Sequence, residues 1–237
     1  MQLFFAPAIT LPFYILSEEE SRHAVRVLRL TVGDELSLTD GRGNLYRAVV
    51  HEADPRRCPV EVVATEEGYG RSPYSLTLAV APTKSPERFE WMLEKATEIG
   101  VDKIIPVECS RSERRTINMQ RSEKVLAGAM KQSLKCYLPY LMPVTPYAKL
   151  VLTPFEGVKL IAHCHVDQLR ATISSLVRPA QDVLLLIGPE GDFSPEEAAL
   201  AIENGFCAVT LGESRLRTET AAIAAAVEVA LINRRDL

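Results

Sequence analysis

The chain is poor in the residues that usually announce chemistry: among its 237 residues are one tryptophan and four histidines, and aromatics make up 6%. No apolar run approaches the ~20 residues of a membrane-spanning helix, so no membrane partner is expected. The opening stretch MQLFFAPAITLPFYIL has no basic residue ahead of it and is interrupted by Pro7 and Pro12. It reads as short strands, not as a signal peptide. The five cysteines, Cys58, Cys109, Cys136, Cys164 and Cys207, are odd in number and lack C-x-x-C spacing. That argues against a disulfide framework or a zinc knuckle and fits a reducing cytoplasm. The G-x-G-x-x-G fingerprint and the Walker A loop are missing, so ordinary dinucleotide and nucleoside-triphosphate chemistry lose their support. No Ser-His-Asp grouping stands out. An excess of one charge is missing too, with 27 basic against 31 acidic residues and a net charge of −4. Any contact with nucleic acid must then come from a local basic patch.

What is present is a globular composition, 47% hydrophobic and 24% charged, long enough for one domain or two. Residues 1–72 carry strand signals: Glu35 to Leu38, a turn over Asp40-Gly41-Arg42-Gly43-Asn44, Leu45 to His51, and Pro59 to Thr65. They suggest a small barrel interrupted by one helix, Glu18 to Leu30. A polar stretch, Glu66 to Pro73, closes this module. From Ser75 onward strands and helices alternate, which implies a parallel sheet in an α/β domain over 73–237. The strands are Leu76 to Ala81, Lys103 to Glu108, Lys159 to Cys164, Val183 to Ile187 and Ala208 to Leu211; the helices are Pro86 to Ile99, Asn118 to Tyr137, one starting at Ser194, and Glu219 to Ile232.

Two loops of that domain look like ligand walls. Val183 to Ile187 is wholly apolar, as in a strand covered on both faces, and Gly188-Pro189-Glu190-Gly191 stops it. Ser194, Pro195 and Glu197 then form a capping box, and Gly205 is placed to end that helix. Ala208 to Leu211 repeats the device: Gly212 breaks it, Arg215 and Arg217 follow, and Thr218 can cap the alanine-rich last helix. Ligands of open α/β sheets bind where loops leave the carboxyl ends of strands. Lys84, just past the strand Leu76 to Ala81, leaves from such an end.

Basic residues concentrate in two places. Arg22, Arg26 and Arg29 fall at i, i+4 and i+7, within about 60 degrees on a regular helix, with Ala24 and Leu28 facing away. They can meet phosphates, or form a solvated face paired with Glu18 and Glu19. Arg111 to Lys135 contains seven basic residues against Glu113 and Glu123. Within it Lys124, Lys131 and Lys135 share a helix face beside Gln132, a group suited to a base edge. Glu87, Glu90, Glu94 and Glu98 line one side of a helix; Glu98 sits unfavourably at its negative end, which leaves room for another role. His163-Cys164-His165 alternates faces along a strand and is not expected to hold a metal; no metal site is expected. Small residues on most faces of the last helix favour close packing, within the chain or against a second subunit.

LIGPEGDFSPEE followed by LGESRLRTETA resembles the paired signature of the bacterial 16S ribosomal RNA uracil-N3 methyltransferases of the RsmE type, in the SPOUT superfamily. The resemblance covers nearly the whole chain. SRHAVRVLRLTVGDELSLTDGRGNLYRAVV is similar to that family's PUA-like barrel, and the run from Lys84 to Val101 to the start of its methyltransferase domain. Ser112-Glu113-Arg114 and Lys131-Gln132-Ser133 match as well. Two positions depart: Asp192 stands where relatives usually have a third glycine, and Leu134 where many have glycine.

The resemblance implies an N-terminal PUA-like β-barrel and a C-terminal SPOUT domain with a deep trefoil knot around a parallel sheet. It implies S-adenosyl-L-methionine as cofactor, a homodimer through the C-terminal domain, and 16S rRNA in the small ribosomal subunit as partner. His163, Ile187, Gly188, Pro189, Glu190, Gly191, Leu211, Gly212, Leu216, Arg217 and Thr218 are then expected at the cofactor. Arg22, Arg26, Arg29, Lys84, Arg114, Lys131 and Gln132 are expected at RNA. Arg217 is the expected catalytic cation, with Glu98 or Glu219 as base. Two other functions stay open: ribose 2′-hydroxyl methylation by the same loops, and RNA binding without catalysis.

Overall fold

The computed structural model describes residues 2–164 and 169–234, which form two compact units. The first comprises 1–71 with 127–138, the second 72–126 with 139–237.

In the first unit β1 (Leu3–Phe5) pairs in parallel with β3 (Glu35–Thr39), while β4 (Leu45–Val50), β5 (Pro59–Glu66) and β2 (Phe13–Ile15) follow antiparallel, giving the order β1-β3-β4-β5-β2. Inward residues such as Phe4, Leu38, Ala48 and Val60 make its core, and Ala24 of the helical segment closes it. That segment is not the single helix read from spacing. It is α1 (Glu18–Arg22) continued by a π-helical turn, His23–Val27. The chain has left the helix by Arg29, whose φ is +59°. Arg29 therefore drops out of the helical stripe with Arg22 and Arg26.

Residues 127–138, which the sequence division leaves in the C-terminal domain, cluster with this first unit. The carbonyl of Cys136 accepts from Gly43 N–H (2.8 Å) and the Thr39 hydroxyl (3.3 Å). Gly43, at φ +100°, is obligatory, since a Cβ there would lie 2.2 Å from the Tyr137 ring. The turn it belongs to is held by the Asp40 carboxylate, which accepts from Arg42 N–H at 2.8 Å and Asn44 Nδ2 at 2.7 Å.

The second unit is α/β. Its parallel sheet runs in the order β12 (Cys207–Val209), β10 (Val158–Ala162), β11 (Val183–Ile187), β6 (Leu76–Val80), β7 (Lys103–Glu108), β8 (Tyr140–Leu141), with β9 (Thr145–Pro146) also on β7. Every residue of β6 and β11 is buried, as their apolar runs require. The helices are α2 (Pro86–Ile99), α4 (Tyr147–Leu152), α5 (Ile173–Leu176), α6 (Pro195–Glu203) and α7 (Thr218–Ile232). α3 (Met119–Gln132) contributes its first eight residues to this unit and the rest to the first. It is shorter than the predicted span: Leu134, at φ +56°, takes the left-handed conformation that ends helices.

The register decides where a site can form. Ile187 of β11 is opposite both Ala162 of β10 and Val80 of β6, and Ala162 is opposite Val209 of β12. Four neighbouring strands thus end level, and the loops leaving them start side by side.

Candidate active site

Three of those loops enclose a cleft of about 230 Å³ in the second unit. One wall is Ile187, Gly188, Pro189, Glu190 and Asp192; another is Arg215, Leu216, Arg217, Thr218 and Ala221; the end of β10 supplies Ala162 and Cys164. Of the residues expected at a cofactor, Ile187 to Glu190 and Leu216 to Thr218 line it. His163, Gly191, Leu211 and Gly212 do not; His163 and Gly191 sit between residues that do, while Leu211 and Gly212 lie further along the chain, before Arg215. His163 is buried between Ala162 and Cys164; its neighbour His165 lies outside the described residues. Ala162, Cys164, Asp192 and Ala221 line it without having been expected at the cofactor, and Arg215 had been read only as part of the second loop. Ala162 and Cys164 share one signal, their position at the end of β10, whereas Ala221 lies in the first turn of α7.

Local chemistry braces the walls. The capping box of Ser194 and Glu197 forms as expected: Glu197 N–H donates to Ser194 Oγ and Ser194 N–H to Glu197 Oε2. This directs α6 away and leaves 188–193 as a tight turn. A Cβ at Gly188 would lie 3.0 Å from the ring of Phe193, itself fully buried, so a larger residue there would have to push that ring aside. Arg111 donates to the carbonyl of Gly191 at 2.9 Å, and Lys84 N–H to Glu190 Oε1 at 2.9 Å. Thr218 does not cap α7 with its side chain. It is the first helical residue, and its hydroxyl donates to the Gly188 carbonyl at 3.0 Å, tying the two predicted loops together.

Asp192 has φ +60°, a conformation in which glycine is unstrained. Its side chain compensates: Oδ2 accepts from Cys164 N–H and Oδ1 from Phe193 N–H, both at 2.9 Å. The first bond spans 28 residues of sequence and joins the β10 and β11 loops.

The cleft suits a cationic ligand that also offers hydrogen-bonding groups. Glu190 Oε2 and, at the start of α7, Glu219 Oε2 are buried without a hydrogen-bond partner among the described residues. Such oxygens are costly unless something pairs them. Arg217 lies exposed on another wall at the N-cap of α7, its guanidinium making no hydrogen bond or ion pair to any described residue. Glu219 Oε1 lies 3.8 Å from Arg88 Nε, a contact the sequence reading missed. Glu98 is not brought to this place. It pairs with Lys95 at 2.9 Å in the last turn of α2, about 15 Å along the helix from Arg88.

The residues expected at RNA divide between the units. Arg22 pairs with Glu18 at 2.7 Å, both largely exposed, while Arg26 and Gln132 are exposed. Lys131 instead binds Glu20 at 2.6 Å, and Glu20 is buried; this lysine holds the 127–138 segment to α1 within the first unit. In the second unit Lys84 pairs with Glu113 at 2.8 Å, and Arg114 Nε donates to the Lys84 carbonyl at 3.2 Å. The Glu113 carboxylate holds the Lys84 ammonium above its ordinary pKa. Much of the basic run from Arg111 to Lys135 is thus committed internally, with Arg115 on Glu108 and Arg121 on Glu90 as further pairs.

No helix among the described residues is long and apolar enough to cross a membrane.

Residues 70–230 match the family described as RNA methyltransferase domain, and 16–63 the one described as RNA methyltransferase PUA domain. A ribosomal RNA small subunit methyltransferase E of Mycobacterium bovis is 30% identical over 230 residues, covering 93% of this chain and 87% of that one. The protein of the same name from Aquifex aeolicus is 28% identical, with 94% and 96% covered. Among solved structures, a probable rRNA-methyltransferase from Porphyromonas gingivalis superposes with a TM-score of 0.93 at 44% identity, covering 98% of each chain. A ribosomal RNA small subunit methyltransferase E from Neisseria gonorrhoeae, bound to S-adenosyl methionine, gives 0.87 at 27% identity, again over 98% of each.

Proposed function

The chain belongs to the ribosomal RNA small subunit methyltransferase E family of RNA methyltransferases, and on that premise we propose that it methylates N3 of one uridine in 16S ribosomal RNA. The observation that carries this reading is the cleft at the level strand ends, lined both by Glu190, with one unpartnered buried oxygen, and by Arg217, whose guanidinium is uncommitted among the described residues. S-adenosylmethionine, when bound, supplies a methyl group on a sulfonium and leaves as a neutral thioether. Glu190 and the turn 188–191 would hold that cation, with the turn itself fixed by the Thr218 hydroxyl on the Gly188 carbonyl.

The rest falls to the protein's own groups. N3 lies on the Watson–Crick edge, so the uridine enters unpaired. Arg217 donates to a uracil carbonyl and stabilises the negative charge that grows on the ring as the N3 proton leaves. Glu219, next in the chain to the cleft-lining Thr218 and with an unpartnered carboxylate oxygen among the described residues, takes that proton; Glu98 is too far along α2 to share the task. Arg22, Arg26, Arg29, Lys84, Arg114 and Gln132 face the RNA, and Lys131 positions α1 through Glu20. The same reading takes the C-terminal chain through a trefoil knot and places the protein in the cytoplasm, acting on the small subunit. It also pairs two copies through α7, whose Val227 and Leu231 are exposed apolar side chains.

Calorimetric titration with S-adenosylmethionine and methylation of small subunits lacking the mark test the reading, with the methylated atom mapped by mass spectrometry. Arg217→Ala should lower kcat by about 10²-fold or more while cofactor affinity stays within about threefold. Undiminished turnover, or a methyl group on a ribose, refutes the assignment.

A further inference from the structure

Outside the cofactor cleft, the second unit has another cavity, of about 240 Å³, between the first turns of α2 and α3. Its floor is apolar, formed by Pro86, Phe89 and Ile117. Its rim is polar, and most of the charge on it is spent. Arg121 grips both oxygens of Glu90, at 2.6 and 2.8 Å, and Glu87 accepts the Ser85 hydroxyl at 2.6 Å. Asn118 Oδ1 accepts from Arg121 N–H, which starts α3. Groups left without a partner among the described residues include the Nδ2 of Asn118, the hydroxyls of Thr116 and Ser122 and the terminal nitrogens of Arg114.

Two arginines and two glutamates leave the rim with no net charge. Glu87 is held ionised, its carboxyl lowered by the Ser85 hydroxyl and its own backbone amide, with smaller help from Arg121 and Arg114. A phosphate would meet that carboxylate. A flat neutral ring fits better: it covers the apolar floor and exchanges hydrogen bonds with donors and an acceptor at its edge, as bases do.

The cavity's neighbourhood points the same way. Lys84 N–H donates to Glu190, a wall of the cofactor cleft, and the Lys84 carbonyl accepts from Arg114, a wall of this cavity. One peptide segment thus separates the two.

We propose that this cavity seats an unpaired base of the substrate RNA beside the methylated uridine, read at its edge by Asn118, Thr116 and Arg114. The proposal rests on the RNA-methyltransferase reading above. Binding here tethers the strand at a wall linked to the cofactor cleft through the Lys84 backbone, so it acts on substrate recognition and leaves the cofactor alone.

The test is a cycle between protein and RNA. Asn118→Ser keeps an N-cap oxygen for α3 and removes only the amide donor. With small subunits reconstituted from unmodified 16S rRNA, this variant should raise KM about tenfold, with kcat within about twofold and S-adenosylmethionine affinity unchanged. Subunits carrying an abasic nucleotide at each position flanking the target are then assayed with both proteins. At one position the abasic lesion should raise KM for the wild type and nothing further for Asn118→Ser. Thr116→Val should repeat that non-additivity. Additive effects at every position, or an unchanged KM in both variants, overturn the cavity assignment while the enzyme reading stands. A wild-type protein that transfers no methyl group overturns both.

Discussion

Asp192 offers the sharpest test of how the cleft is held. It stands at φ +60°, where most side chains cost about 1–2 kcal/mol relative to right-handed backbone. Against that cost stands its carboxylate, which receives Cys164 N–H across the two loops. A hydrogen bond to an ionised acceptor contributes about 1.5–3 kcal/mol. The bond to the adjacent Phe193 amide is local and adds less. Three substitutions separate these terms. Asp192→Gly loses the cross-loop bond, ~2 kcal/mol, but regains ~1 kcal/mol of backbone strain, for a net loss of about 1 kcal/mol. Asp192→Ala loses the bond and keeps the strain, a loss of about 2–3 kcal/mol. Asp192→Asn keeps an acceptor and tolerates the backbone, so it should lose about 1 kcal/mol or less. If the loops must be brought together before the cofactor can bind, the cost reappears in affinity. About 2 kcal/mol is then roughly a thirtyfold rise in Kd for Asp192→Ala, and Asp192→Gly should rise less than tenfold. Thermal melts read the stability order, at about 2–4 °C per kcal/mol for a protein of this size. Calorimetric titration reads the affinities. Equal behaviour of wild type and Asp192→Ala would refute the cross-loop bond as a brace, and Asp192→Gly melting below Asp192→Ala would refute the strain argument.

Other consequences are simpler. At Asp40 burial pushes the carboxyl up, but bonds from Arg42 N–H, from the Asn44 side chain and amide, and from Tyr46 more than cancel this and hold it below the ordinary value of 3.8. A depressed folded-state value means stability that is present above that ordinary value and lost as pH falls through the folded one. Urea midpoints of the wild type should therefore fall more steeply below about pH 4 than those of Asp40→Asn; parallel curves would contradict this. Leu134 adopts φ +56° with its side chain 40% exposed. Leu134→Gly should raise the melting temperature by about 1–3 °C, relief of strain slightly outweighing the entropy glycine adds to the unfolded chain. A lower melting temperature would show that the Leu134 side chain packs to advantage.

The elements were legible in the sequence wherever a local rule governs them. Val183–Ile187, Pro86–Ile99 and Lys103–Glu108 were read with their observed bounds because apolar runs, a proline at the first helical turn and a closing glycine act over a few residues. The capping box at Ser194 was readable for the same reason. Composition was silent on the two-residue strand Tyr140–Leu141 and on the helix Tyr147–Leu152, which are too short for a period to show. The stripe of Arg22, Arg26 and Arg29 failed as a regular helix because a π-helical turn shifts the spacing after Arg22.

By itself the sequence determined that two glycine-broken strands feed two loops, and that one of those loops carries arginines. That much follows from alternation, turn chemistry and capping, all local. Only the tertiary structure decided that β10, β11 and β12 end level, that Thr218 reaches Gly188 and Asp192 reaches Cys164, and that Glu219 lies by Arg88 while Glu98 pairs with Lys95 at the far end of α2. Those facts depend on strand order and register. Hydrogen bonds between residues 28 and 30 positions apart leave no mark in the spacing of either partner, because each end looks locally like an ordinary turn.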